Sequence, residues 1–130
     1  MNREARVFLL AGCLAALSGV ACGAFGAHAL KTRVGADLLE VWQTGAAYHF
    51  YHALGLLAVG LVAAIAGPSR TLKWAGALMI AGLLLFSGSL YLLALTGIRA
   101  IGAVTPLGGL AWIVAWGLFA AAVWRRRLPA

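Results

Sequence analysis

The sequence predicts an all-α integral membrane protein, a bundle of four transmembrane helices with short connections. Three observations carry that prediction. Hydrophobic residues make up 64% of the 130 and charged residues only 10%, against about 45 to 50% and about 25% in soluble domains. Four apolar stretches, Val7 to Ala27, Gly45 to Ala66, Leu72 to Leu95 and Leu107 to Val123, run nearly end to end. Each is close to the roughly 20 residues that carry a helix across a hydrocarbon core of about 30 Å. Strands alternating in period two are absent, which removes a membrane barrel and leaves the helix as the way to pair every backbone group in lipid. So little chain remains that residues 1–130 read as one four-helix domain working in the membrane and at its two surfaces.

The first stretch follows a basic tail, Arg3 and Arg6, and contains Leu10-Ala11-Gly12-Cys13, the letters of a lipoprotein cleavage box. Only about four apolar residues precede the box, short of the roughly 7 to 15 of a signal sequence, and the apolar run continues past it. An uncleaved first span is therefore expected. Cys13 and Cys22, nine positions apart on one helix, are out of reach of each other and fit no metal spacing, so they read as small packing residues. At 100° per residue Gly12, Ala15, Ala16, Gly19, Gly23 and Gly26 fall within about 100° of arc. With Gly19 and Gly23 as a GxxxG pair, this stripe predicts a face packed on another helix, within the bundle or in a dimer.

The connections come next. Asp37 is placed to cap a helix running through Trp42 into the second span. Gly67-Pro68-Ser69-Arg70 reads as a tight turn between antiparallel second and third helices, Gly97 as the end of the third, and Thr105-Pro106 as a capped start of the fourth. Trp42, Trp74 and Trp124 stand near segment ends, where indole rings favour the interface.

A net charge of +7 raises nucleic acid as a partner, but the basic residues cluster at the ends of apolar segments and read as topology and lipid-headgroup signals. Arg3, Arg6, Arg70, Lys73, Arg125, Arg126 and Arg127 lie on one side of a four-span chain, against Lys31, Arg33 and Arg99 on the other. Seven against three predicts both termini in the cytoplasm.

Polar side chains at membrane depth gather on the second helix. Thr44, Tyr48, Tyr51, His52 and Gly55 share about 100° of arc, with His49 about 60° from His52. Unpaired polar groups in hydrocarbon are costly, so this face is expected to look inward, with Ser87 and Tyr91 of the third helix as partners. Intramembrane histidines suggest proton or ligand handling, while the lack of Asp or Glu within any span removes the usual partner of a proton relay.

GAFGAHALK (Gly23 to Lys31), YHFYHALGLL (Tyr48 to Leu57), LFSGSLYLLALTG (Leu85 to Gly97) and TPLGGL (Thr105 to Leu110) resemble, in order and spacing, the domain-of-unknown-function 423 family, also called uncharacterised protein family 0382. The resemblance implies a four-helix bacterial inner-membrane protein and supplies no established activity. It places a glutamine where His49 stands, which shifts the expected functional weight to His28 and His52. Its motifs converge on the outer leaflet, as a shared pocket or as packing.

The function expected from these features is a non-enzymatic accessory, scaffold or oligomeric membrane component, without catalytic residues, metal or cofactor. Its expected surroundings are the lipid bilayer, a homo-oligomer or a larger complex. The candidate polar site is His28, Tyr48, His52, Ser87, Ser89 and Tyr91, and the packing residues are Gly12, Gly19, Gly23 and Gly26. A small carrier or channel using the Tyr48/His52 face is the first alternative; haem or quinone binding through His28 and His52 is the second.

Overall fold

A computed structural model describes residues 1–125; Arg126 and Arg127, used above for topology, lie outside the described residues. Helix α1 (Arg3–Phe25) passes into a π-helical turn (Gly26–Leu30), and α2 (Ala36–Ala66) returns. The third span is α3 (Arg70–Gly82), a second π-helical turn (Leu83–Ser87) and α4 (Gly88–Thr96); a 3-10 turn (Arg99–Val104) leads into α5 (Thr105–Trp124). Four helical segments are long and apolar enough to cross a membrane, and no strand occurs among the described residues.

Local chemistry sets the ends. Asn2 caps α1 by accepting the Ala5 N–H (2.8 Å), and its own amide donates to the Ala63 carbonyl at the far end of α2. Gly67 turns with φ +81 before Pro68, and Ser69 accepts the Leu72 N–H to start α3. Gly97 ends α4 in the left-handed region, φ +71, with its N–H on the Leu93 carbonyl, the conformation that glycine adopts without a Cβ clash.

Two expected caps differ. Gly35 occupies the cap of α2, and Asp37 lies in the first turn beside Arg99 (3.7 Å), both strongly exposed; a pair so solvated contributes little. Thr105 is already helical and Val104 is the cap of α5, because the Thr105 hydroxyl is engaged by Ser89 (2.7 Å).

The helices α1 and α2 pack antiparallel, with Gly12 on Leu57, Leu9 on Gly60, Gly19 on His49 and Gly26 on Trp42. A Cβ at Gly12 would stand 2.9 Å from the Leu57 amide nitrogen, and one at Gly60 2.9 Å from that of Leu9. The two backbones meet through glycine, as membrane packing favours. The inward residues of α1 are Ala5, Phe8, Gly12 and Gly19, then Gly26. That is a heptad seam of period 3.5, not a 3.6-period stripe. The difference removes Gly23, which is exposed and meets nothing within 4 Å. The GxxxG expectation is thus corrected to Gly12, Gly19 and Gly26 spaced by sevens.

Trp42 turns inward. Its indole is 5% exposed, lies over Gly26 and donates to the Cys22 carbonyl at 2.8 Å, inside the bundle. Trp112 repeats the arrangement over Gly82, donating to the Met79 carbonyl at 3.1 Å. Cys22 and Met79 each lie four residues before a π-helical turn. Each of these carbonyls already accepts a backbone N–H and has a second lone pair for the indole. Trp74 and Trp124 are exposed, 54% and 90%.

Candidate functional site

Half-buried His49 links three spans through its side-chain hydrogen bonds. The Ser18 hydroxyl donates to the Leu14 and Ala15 carbonyls (2.9 and 3.0 Å), so toward His49 Nε2 (3.2 Å) it accepts. A neutral imidazole donates through one nitrogen and accepts through the other; with Nε2–H on Ser18, Nδ1 accepts the Tyr91 hydroxyl at 3.0 Å. A directed row of hydrogen bonds therefore runs from the third span through the second to the first. Tyr91 serves as a partner, but of His49 and not of Tyr48 or His52. Glutamine, the residue that the family resemblance implies here, carries one amide donor and one carbonyl acceptor and has the means to make the same two bonds.

His52 sits one turn further along α2, 7% exposed. Its ring lies flat on Trp112, centroids 3.5 Å apart and planes within 3°, with Trp116 edge-on. Because a carbonyl only accepts, Nδ1–H donates to the Tyr48 oxygen at 2.8 Å. His52 is thus a plate in an aromatic stack. Tyr48 itself is 43% exposed, with its ring against Phe86 and Trp112, and Tyr51 is 58% exposed. Thr44 is exposed as well. The inward arc runs through Trp42, Gly45, His52, Leu56 and Val59, so the expected polar face is rotated outward everywhere except at His52 and Gly55. Tyrosine tolerates that position because its ring is apolar and only its tip is polar.

The remaining candidates separate. His28 is exposed on the first π-helical turn. From the Gly26–Trp42 contact, it lies about 12 residues, or about 18 Å, along the axis from His52, so no single haem iron takes both. Ser89 donates to the Phe86 carbonyl (2.9 Å) and accepts from Thr105, tying the third span to the fourth. Ser87 is 1% exposed, and its hydroxyl has no hydrogen-bond partner. Among the described residues no group of three or more His, Cys, Asp or Glu gathers as a metal site. Two of the motif stretches meet as packing: Leu30 of the first and Ala94 of the third form a small core with Trp42, with Cys22 and Tyr91 against it.

Between α1 and the third span the bundle is open. A cleft of about 350 Å³ lies between Ala11, Ala15 and Ser18 on one wall and Ile80, Leu83 and Gly88 on the other, with His49 and Tyr91 at its end. A second cleft of about 440 Å³, sharing Ile80, continues to Arg3, Glu4 and Lys73. Of this groove, only Tyr91 figured among the expected site residues. The glutamine implied by the family resemblance draws weight away from His49, and Ser18 carries no signal because its meeting with His49 depends on the antiparallel register, which no local spacing encodes. Glu4 lies in the first turn of α1.

The chain matches the family described as protein of unknown function (DUF423) over residues 22–109. It is 48% identical to a UPF0382 membrane protein of Staphylococcus saprophyticus over 111 residues, covering 85% of this chain and 91% of the relative. With the UPF0382 membrane protein YwdK of Bacillus subtilis (strain 168) it shares 49% over 111 residues, 85% and 90% of the two chains. No solved structure matches. Likeness over nearly the full length of bacterial membrane proteins, together with four membrane-length helices, identifies this chain as a member of the uncharacterised DUF423, or UPF0382, family of membrane proteins.

Proposed function

We propose that the protein is a non-enzymatic accessory or scaffold component of the bacterial plasma membrane. In this reading it is one four-helix domain with both termini cytoplasmic, suited to a homo-oligomer or a larger membrane complex. The observation that carries the reading is the use made of the polar groups. Tyr91, His49 and Ser18 are joined in one row across three spans, Ser89 is joined to Thr105, and both buried indoles bond carbonyls of neighbouring helices. Groups so engaged hold helices together, whereas a carrier site needs polar groups free to meet a substrate. The excess of basic residues on the side of Arg3 and Arg70 supports the orientation.

The test is flux and mass on the purified chain. Proteoliposomes are expected to hold proton and potassium gradients as well as empty vesicles do, and detergent-purified protein to show no absorption band beyond its aromatic residues. Gradient collapse or a haem band would overturn the reading. Cysteines placed at Arg33 and Ser69 are expected to react with impermeant reagent from opposite sides, with Arg33 outside.

A further inference from the structure

The groove between α1 and the third span has a form that the scaffold role does not use. Its mouth lies at the start of both helices, where Arg3 and Lys73 are exposed and Glu4 is partly buried. The Glu4 Oε2 atom is buried with no hydrogen-bond partner, and neither cation is within ion-pair distance of it. A buried carboxylate oxygen without a donor is costly. From this mouth the walls are apolar: Val7 and Phe8 face Ala77, then Ala11 and Ala15 face Leu83 and Leu84. Arg3 to Ser18 spans about 22 Å of helix axis, more than one leaflet's share, about 15 Å, of the hydrocarbon core. Leu83 and Leu84 of the π-helical turn at Leu83–Ser87, and Gly88 after it, line the part beyond the mouth.

We propose that this groove binds one aminophospholipid, a phosphodiester carrying a primary ammonium, from the leaflet at the N-terminal side. Arg3 and Lys73 hold the phosphate, Glu4 Oε2 accepts from the ammonium, and one acyl chain lies along Ala11, Ala15 and Leu83. Charge complementarity selects this headgroup. Two cations match a phosphate, but a headgroup without a donor leaves Glu4 buried beside an anion; the ammonium makes a charge-assisted bond there. The inference needs only the membrane-spanning bundle and is independent of the scaffold reading.

The experiment is native mass spectrometry of the full chain, delipidated in mild detergent and titrated with dioleoyl phosphatidylethanolamine, phosphatidylglycerol or phosphatidylcholine. One bound phosphatidylethanolamine is expected, held about tenfold more tightly than phosphatidylcholine, whose methylated ammonium lacks a donor. Glu4→Gln is expected to reduce that preference to less than about twofold, and Lys73→Gln to weaken all three lipids. Ala15→Phe, which fills the groove without touching the mouth, is expected to abolish the single tight site while the melting temperature stays within a few degrees of wild type. Equal retention of phosphatidylethanolamine and phosphatidylcholine by the wild-type chain, or tighter binding of phosphatidylglycerol, overturns the headgroup assignment. Unchanged retention in Ala15→Phe overturns the groove.

Discussion

Helix α1 carries small residues on two flanks, and the flanks behave differently. Toward α2, Gly12, Gly19 and Gly26 let the backbones close until a methyl group no longer fits at Gly12. Toward the third span, Ala11 and Ala15 line an open groove opposite Gly88. Phe8, lodged over Gly76, stands between α1 and α3 as a spacer near the mouth. Small residues alone therefore do not close a seam in lipid, where apolar surface gains little by leaving the acyl chains. What closes it is a row of them in register with the partner's backbone, with donors reaching across. The flush seam has Asn2 on Ala63 and Trp42 on Cys22 at its two ends, and Ser18 on His49 between them. The open flank keeps only Phe8 near its mouth and the Tyr91 hydroxyl at its inner end.

The largest effect expected from this comparison is at Gly12. Gly12→Leu sets a side chain against the Leu57 backbone, which no rotamer relieves, and should cost about 3 kcal/mol, the upper end for overpacking. A large drop in detergent melting temperature is the expected outcome; an unchanged one breaks the distinction between the flanks. Trp42→Phe keeps a ring over Gly26 but removes the donor to Cys22 and leaves a void, for about 2 kcal/mol. Tyr91→Phe deletes one bond of the central row and should cost about 1 kcal/mol. His49→Gln should cost less than about 0.5 kcal/mol, since the amide replaces both bonds, so the order of these two melting temperatures sharpens the role of the row. Smallest is Gly23→Leu, expected within about 0.5 kcal/mol of wild type because its side chain would enter open space. A loss as large as that of Gly12→Leu would restore a GxxxG contact.

Much of the fold was legible because length and hydropathy speak directly to a bilayer. The turns were legible too: Gly67-Pro68 and Gly97 do what their backbone freedom suggests. The inward faces were not. A helix apolar all round gives no contrast between core and lipid, so the polar residues were the remaining guide, and Thr44, Tyr48 and Tyr51 pointed the wrong way. A drift of about 20° per heptad between 3.6 and 3.5 periodicity then exchanged Gly23 for the true seam. At the site, His52 and Tyr91 were recognised as polar residues at depth, but Tyr91's partner His49 stands on α2 and the Trp112 ring stacked on His52 stands on α5. Only the packed register brings those residues together.

That register raises a problem of degeneracy. Glycines repeated every seven residues on α1 make a scale whose marks are all alike, and sliding α1 by one heptad, about 10.5 Å, would again set glycines against α2, though against other side chains than Leu57, His49 and Trp42. The seam by itself fixes the orientation of the pair and leaves its vertical alignment ambiguous. Asn2 and Trp42 resolve the ambiguity as unlike end stops: an amide on the Ala63 carbonyl at one end and an indole on the Cys22 carbonyl at the other. A slid pair would strand both donors and displace the buried Trp42 ring from Gly26, so a small amide at one end and a large indole at the other select one alignment.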